Sequence, residues 1–399
     1  MKYVVILGDG MADYPLSELN GKTPLDVAQK PFIDELCKIS NIGLIKTVPD
    51  GMKPGSDVAN LSVLGYNPKE VYTGRSPLEA GSIGIDLLDT DIATRANLVT
   101  VSEEPNYADK TMIDYSAGEI STEEAKVLID YLAEKLNDDK YKLYSGISYR
   151  HCFVTANGKL AGDLTPPHDI TGKPVKGHLP TSEVGKVYLD FMERSYELLK
   201  DHPINIKRVK DGKNPANSLW FWGEGTKPKL QNFEEKFGVK GGIISAVDLL
   251  KGIAKLSGMQ SIEVEGATGN YDTNFIGKAK ACVEALKNGL DYVYIHMEAP
   301  DECGHHGDLE RKIYSIEQID KVVKYVYTEL TLSGEDFKVL ICPDHPTPIK
   351  LMTHVSDPVP FLLYSSKEKV QGVDKYNETN AKNSGVIFTG EELMQKLLS

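Results

Sequence analysis

The sequence predicts an α/β protein: a mostly parallel sheet with helices on both faces, plus a smaller inserted α/β domain. Two observations carry this. Short apolar runs that stop abruptly at Gly, Pro or Asp alternate with longer helical patterns, the signature of parallel strands joined by helices. Between them lies a stretch, residues 91–180, whose texture differs from the rest.

The elements follow in order. Tyr3-Val-Val-Ile-Leu7 is β-branched and ends in Gly8-Asp9-Gly10, which predicts a buried strand and then a loop. Residues 28–39 carry helical spacing, and 43–48 read as a second strand. Pro49-Asp-Gly-Met-Lys-Pro-Gly55 is a turn-rich loop, and Ser56 begins what looks like a capped helix. Within 91–180, strand-like pieces at 96–101 and 151–155 flank a polar helix at 122–136. A loop rich in Thr, Pro, Gly and His follows at 163–180. Residues 1–90 and 181–399 are therefore expected to form the core domain, with 91–180 inserted into it. The alternation then becomes regular: helix 272–287, strand 291–297, helix 308–330, strands 337–342 and 360–364, and a C-terminal helix capped by Thr389.

The bulk numbers agree with this division. A chain of 399 residues exceeds what one core usually organises. No run approaches the ~18 apolar residues of a membrane span. Gly8-Asp9-Gly10 interrupts the N-terminal apolar run too early for a signal peptide, so a cytoplasmic protein is expected. The net charge of -13 disfavours nucleic acid as a partner, while a few local Arg or Lys leave room for a small anionic substrate. The five cysteines are scattered without a CxxC pair, which argues against a disulfide framework or a Cys-type zinc site.

Four distant segments carry chemistry, each where a strand ends. Open α/β sheets place ligands there. Asp9 follows the first strand. Ser56 sits at a helix start, where it could serve as a simple N-cap or as a nucleophile. No GxSxG elbow is present, so activation by metal is the functional alternative. Asp301 and His305, four apart after Ile295-His-Met-Glu-Ala-Pro, can converge on one metal. His306 is adjacent to His305 and points elsewhere, so one of the two is expected to be a ligand. Asp344-His345 directly follows the run Val339-Leu-Ile-Cys-Pro, and His354 lies nine residues on. Charged groups at the end of a buried strand cost free energy unless they have a job. Together these residues could hold two metals. Mixed Asp/His donors suit Mn²⁺, Zn²⁺ or Fe better than calcium.

The order of these residues resembles the alkaline phosphatase superfamily. It is most similar to the archaeal-type, 2,3-bisphosphoglycerate-independent phosphoglycerate mutases. The motifs carrying that resemblance are Leu7-Gly-Asp9-Gly-Met-Ala-Asp13, Pro54-Gly-Ser56-Asp-Val-Ala-Asn60-Leu-Ser-Val-Leu-Gly-Tyr66, Tyr72-Thr-Gly-Arg75-Ser-Pro-Leu-Glu-Ala80, His296-Met-Glu-Ala-Pro-Asp301-Glu-Cys-Gly-His305, Pro343-Asp-His345-Pro-Thr-Pro348 and His354-Val-Ser-Asp-Pro-Val-Pro-Phe361. The resemblance implies an alkaline-phosphatase-like core and a phosphorylated Ser56. Asp9, Asp344 and His345 would ligate a metal shared with Ser56, and Asp301, His305 and His354 would ligate a second. Two divalent ions are implied, Mn²⁺ first, with Mg²⁺, Zn²⁺ or Co²⁺ as substitutes, and no 2,3-bisphosphoglycerate. The implied reaction interconverts 3- and 2-phosphoglycerate through phosphoserine. The inserted domain would close over the substrate and exclude water, with Arg95, Arg150 and His151 supplying basic groups and Arg75 contributing from the core side. Two positions depart from the family's usual pattern: Ser76, and Asn60 within Val58-Ala-Asn60. They keep open an alternative, a phosphotransferase on another alcohol such as homoserine or a metal-dependent phosphomonoesterase.

Overall fold

The N-terminal apolar run becomes the central strand of an eight-stranded sheet in a computed structural model that describes residues 1–368 and 370–399. In chain order the strands are β1 (Lys2–Gly8), β2 (Asn41–Lys46), β3 (Ile92–Val101), β4 (Met112–Asp114), β5 (Tyr141–Ile147), β6 (Arg150–Thr155), β7 (Ser218–Thr226), β8 (Gly241–Ile244), β9 (Gln260–Ile262), β10 (Tyr292–Met297), β11 (Phe337–Cys342), β12 (Val359–Ser365) and β13 (Ile387–Thr389). The chain divides into two units, Met1–Tyr72 with Lys229–Ser399, and Thr73–Pro228.

In the larger unit the strand order is β13-β2-β12-β11-β1-β10-β8-β9. Only β12 runs against the others, pairing antiparallel with β11 and β2. This is the fold class the sequence predicts. β1 is parallel to β10 on one side and to β11 on the other. Strands covered on both faces must be apolar throughout, which is why β1, β10 and β11 read as continuous hydrophobic runs. Val4 and Ile6 pack in one cluster with Ile316, Ile319 and Val323 of the helix Leu309–Ser333. The helix Gly390–Leu398 packs on β11 and on the helix Ser56–Val63.

The smaller unit holds a second, antiparallel sheet. β3 lies between β6 and β7, with β5 beyond β6 and β4 pairing the end of β3. Its core gathers Leu98, Phe153, Trp220 and Phe221 with Leu128, Leu132 and Phe191 from helices Thr122–Leu136 and Gly185–Leu199.

The structure adjusts several expectations. The inserted unit runs well beyond 91–180 at both ends, because the helix Arg75–Ser82 packs on β3 and β7, and β7 pairs along β3. Arg75, expected on the core side, therefore belongs to the smaller unit. The helix expected over 28–39 begins only at Pro31, whose ring disfavours helical backbone at Lys30. Ser56 is not the N-cap of its helix. Gly55 is, and Ser56 is the first helical residue, with no side-chain cap bond at that end.

Candidate active site

The strand register of the larger unit builds the site. Gly8 stands opposite Met297, and Leu7 stands opposite Cys342. Three neighbouring parallel strands thus end at one level, and the residues that follow them meet. Asp9 leaves β1, Asp344 and His345 leave β11, and Asp301 and His305 come from the helix Ala299–His305 after β10. The Gly10 N–H donates to Asp344 Oδ1 at 3.2 Å, which ties the first two ends together.

Two groups of donors result. In the first, His305 Nε2 lies 3.2 Å from Asp301 Oδ2, and His354 Nε2 lies 3.4 Å from Asp301 Oδ1. The two imidazole Nε2 atoms are 2.8 Å apart. His305 Nδ1 sits 3.1 Å from the Met352 carbonyl oxygen, which can only accept. A neutral His305 therefore presents its Nε2 lone pair to the group, the usual arrangement of a metal-binding histidine. In the second group, His345 Nε2 lies 3.5 Å from Asp9 Oδ1 and 3.4 Å from Asp344 Oδ2. The donor atoms of Asp301, His305 and His354, and those of Asp9, Asp301 and His345, converge closely enough to hold a metal ion. His306 points away: its ring meets the Glu302 carbonyl on the exposed side of the helix.

Ser56 joins the second group. Its hydroxyl lies 3.1 Å from His345 Nε2. Because Gly55 takes the cap position, this hydroxyl is not spent on the helix end.

The electrostatics call for cations. Asp9 is buried, and its carboxyl is raised well above the usual range, first by burial and then by the Asp344 and Asp301 carboxylates. Asp9 Oδ1 has no hydrogen-bond partner among the described residues. A buried carboxylate oxygen left bare among like charges is costly, and a positive ion against it removes that cost. Burial pushes Asp301 up, but hydrogen bonds to His305 and His354 outweigh it and hold the carboxyl well below its usual range. Conversely, the Asp301 hydrogen bond raises His305 to about 9. The donor set therefore fits divalent metals.

Sequence reasoning missed several contributors. His296, inside β10, places Nε2 2.9 Å from Asp9 Oδ2, and its other nitrogen lies 3.3 Å from Ser245 Oγ. Asp9, His296 and Asp344 form a third convergent set. A histidine interrupting an apolar strand was the available signal. Asn60, one of the two departures noted above, donates from Nδ2 to Asp344 Oδ2 and to the Ser56 carbonyl, both at 2.8 Å. Its Oδ1 accepts from the buried Tyr294 hydroxyl at 2.6 Å. The other departure, Ser76, belongs to the smaller unit, where its hydroxyl donates to the Gly223 carbonyl. Thr347 bonds Asp301 and His345, and buried Lys312 pairs with Asp13 at 2.8 Å.

The remaining predicted residues lie in the smaller unit. Arg75 Nε pairs with Glu79 at 2.8 Å, and Arg95 Nη2 reaches the same carboxylate oxygen at 3.2 Å. Arg95 is buried and stacks 5.0 Å from the Trp222 ring centroid, so it is not a loose surface charge. Arg150 is exposed beside Tyr149. His151 is buried: its Nδ1 accepts from the Gly146 N–H, and burial, helped by Arg150, lowers it to about 3. It is thus a neutral ring.

A parallel sheet whose central strand ends carry convergent carboxylates and imidazoles beside a hydroxyl defines a candidate metal-assisted transferase. Comparison with known proteins narrows this. A sequence profile described as 2,3-bisphosphoglycerate-independent phosphoglycerate mutase matches residues 37–205. A Geobacter sulfurreducens protein named as a probable enzyme of that kind is 47% identical over 100% of both chains. A Methanosarcina acetivorans protein of that name is 48% identical over 97% of this chain and 96% of the relative. The chain belongs to the family of 2,3-bisphosphoglycerate-independent phosphoglycerate mutases. A solved protein from Pyrococcus horikoshii has a TM-score of 0.82 at 31% identity, covering 100% of this chain and 96% of that one. A cofactor-independent phosphoglycerate mutase from Thermoplasma acidophilum has a TM-score of 0.67 at 26% identity, covering 100% and 99%.

Proposed function

We propose that this chain interconverts 3-phosphoglycerate and 2-phosphoglycerate by passing the phosphoryl group through Ser56. The observation that supports this most is the Ser56 hydroxyl 3.1 Å from His345 Nε2, at the edge of the carboxylate–imidazole cluster. It stands in a chain aligned end to end with relatives named as such mutases. In the first half of the reaction a P–O bond forms to Ser56 Oγ and the bond to one glycerate oxygen breaks. The proton lost by Ser56 ends on that oxygen. In the second half the other glycerate hydroxyl takes the phosphoryl group back and returns a proton to Ser56. No external bisphosphate is needed, because the chain carries the phosphoryl group itself.

Asp9, Asp344, His345 and Ser56 would hold one divalent ion, and Asp301, His305 and His354 the other. Such ions, when bound, neutralise phosphoryl charge and stabilise an ionised serine oxygen. Mn²⁺ is the ion we assign first, since hard carboxylates and borderline imidazoles are mixed in both groups. Of the basic residues in the smaller unit, exposed Arg150 and Arg75 are assigned to the anionic substrate. Arg95 is assigned to hold Glu79, and with it Arg75, in place. That unit, as Thr73–Pro228, is assigned the water-excluding role, since phosphoserine in contact with water would hydrolyse. A cytoplasmic location fits a glycolytic substrate, and no helix among the described residues is long and apolar enough to cross a membrane.

The test is a coupled assay for 2-phosphoglycerate formation with Mn²⁺ and without 2,3-bisphosphoglycerate. Turnover is expected, abolished by chelation and reduced at least about 10³-fold by Ser56→Ala. Silence in this assay together with homoserine phosphorylation or monoester hydrolysis would assign the chain to the other reaction.

A further inference from the structure

Thr347 lies two residues beyond His345 and is fully buried. Its hydroxyl donates to Asp301 Oδ1 and lies 3.3 Å from His345 Nδ1. A hydroxyl has one proton. With that proton on Asp301, the oxygen can only accept from His345. Nδ1 must therefore carry the imidazole hydrogen, and Nε2 must present its lone pair. That lone pair faces Ser56 Oγ, Asp344 Oδ2 and Asp9 Oδ1 at 3.1, 3.4 and 3.5 Å. One side chain thus touches Asp301 in the first donor group and His345 in the second.

The surroundings hold Thr347 in place from several directions. The Thr347 N–H donates to the Ala12 carbonyl at 3.3 Å. Lys312 Nζ donates to the Thr347 carbonyl at 2.8 Å and to Asp13 Oδ2 at 2.8 Å. Asp13 Oδ2 also accepts from the Ile349 N–H at 3.1 Å, so the chain is pinned on both sides of Thr347. Two glycines make room for it. A Cβ at Gly304 would stand 2.6 Å from the Thr347 carbonyl oxygen, and one at Gly10 would stand 2.6 Å from both Thr347 Oγ1 and Asp301 Oδ1.

We propose that Thr347 is a positioning residue that couples the two donor groups, holding Asp301 in one and fixing the ring tautomer of His345 in the other. This rests on the reading of both groups as cation sites. Groups that orient metal ligands in this way typically account for a 10–100-fold difference in affinity.

The experiment titrates the metal-free chain with Mn²⁺ by calorimetry, comparing wild type, Thr347→Val and Thr347→Ser. Valine keeps the branched shape and removes the hydroxyl, while serine keeps the hydroxyl. Wild type is expected to bind two ions. T347V should weaken both by about 10-fold or more, and T347S should stay within about 3-fold of wild type. A role in packing alone predicts the reverse order, and that order overturns the proposal. Mn²⁺ uptake by T347V equal to wild type overturns the proposal and leaves the cation sites standing. A wild type that takes up no Mn²⁺ overturns both. Should T347V fail to fold, ¹⁵N spectra of the metal-free wild type decide: a protonated His345 Nδ1 supports the proposal, and a protonated Nε2 overturns it.

Discussion

Replacing Asn60 with alanine removes three hydrogen bonds at once. The amide donates to Asp344 Oδ2 and to the Ser56 carbonyl, and its oxygen accepts from the Tyr294 hydroxyl. Asn60 is fully buried, and so is the Tyr294 side chain, so the orphaned groups would have no ready water. A hydrogen bond to a charged acceptor contributes about 1.5–3 kcal/mol, and a buried hydroxyl without a partner costs about 1–3 kcal/mol. The expected loss is therefore about 3–5 kcal/mol. At roughly 2 °C per kcal/mol for a unit of this size, scanning calorimetry of the metal-free chain should show Tm falling by about 6–10 °C. Asn60→Asp keeps the shape but faces Asp344 with a second carboxyl. Burial and that neighbour raise its folded-state pKa above the unfolded value, so the folded state binds the extra proton more tightly. N60D should lie closest to wild type below about pH 4, the unfolded aspartate value, and lose ground steadily as pH rises above it. A Tm for N60A within 2 °C of wild type, or an N60D offset that does not vary with pH, would refute the assignment of Asn60 as the clamp on Asp344.

Other perturbations have defined outcomes. Gly10→Ala places a Cβ 2.6 Å from Asp301 Oδ1 at a φ of +61°. Left-handed backbone and overpacking together should cost about 2–4 kcal/mol in urea denaturation, with weaker Mn²⁺ uptake because Asp301 is displaced. Lys312→Met leaves Asp13 buried without its cation and should destabilise by about 3–5 kcal/mol by the same measurement, part of which Lys312→Met with Asp13→Leu recovers. Glu378 is raised to about 7, chiefly by burial, although it accepts from Thr23 Oγ1 and the Asp13 N–H. Its folded state holds the proton more tightly than the unfolded chain, so its stabilising contribution is complete below about pH 4.5 and lost as pH passes about 7. Relative to Glu378→Gln, wild type should lose up to about 1.4 kcal/mol per pH unit across that window in denaturant titrations; parallel curves would refute the shift.

What could be read from the sequence was whatever depends on neighbours in the chain. The helix Thr122–Leu136 has the predicted bounds because Ser121 caps it from the side chain and Asn137 leaves helical backbone. β11 ends where Pro343 follows the apolar run, and Asp344-His345 stood out there for the same reason. Pairing across hundreds of residues could not be read this way. β7 looks like an ordinary apolar strand until it is seen beside β3, and only that pairing moves the domain boundary and carries Arg75 with it. Thr347 was overlooked on similar grounds: it has no unusual local pattern and becomes informative only when the distant Asp301 carboxylate is seen against it. His296 did interrupt an apolar strand, but its role is defined only by Asp9, 287 positions away.

The site also shows why strand register matters more than any single ligand. Asp9, Asp301 and Asp344 are separated by 292 and 43 positions in sequence yet share one cluster, because Gly8 is level with Met297 and Leu7 with Cys342. A one-residue slip of β1 against either neighbour would turn Val4 and Ile6 away from their apolar cluster and move Asp9 by about 3.3 Å along the sheet. The register that seats Val4 and Ile6 in their cluster thus also holds the three carboxylates at one height. Three carboxylates brought together repel, and the Asp344 and Asp301 charges add to burial, the larger cause, in raising the Asp9 carboxyl. The strands can hold them there because burial of the apolar faces, spread over the whole sheet, outweighs a repulsion confined to its edge. The sheet therefore bears the cost of gathering three carboxylates, and that cost is what a bound cation would relieve.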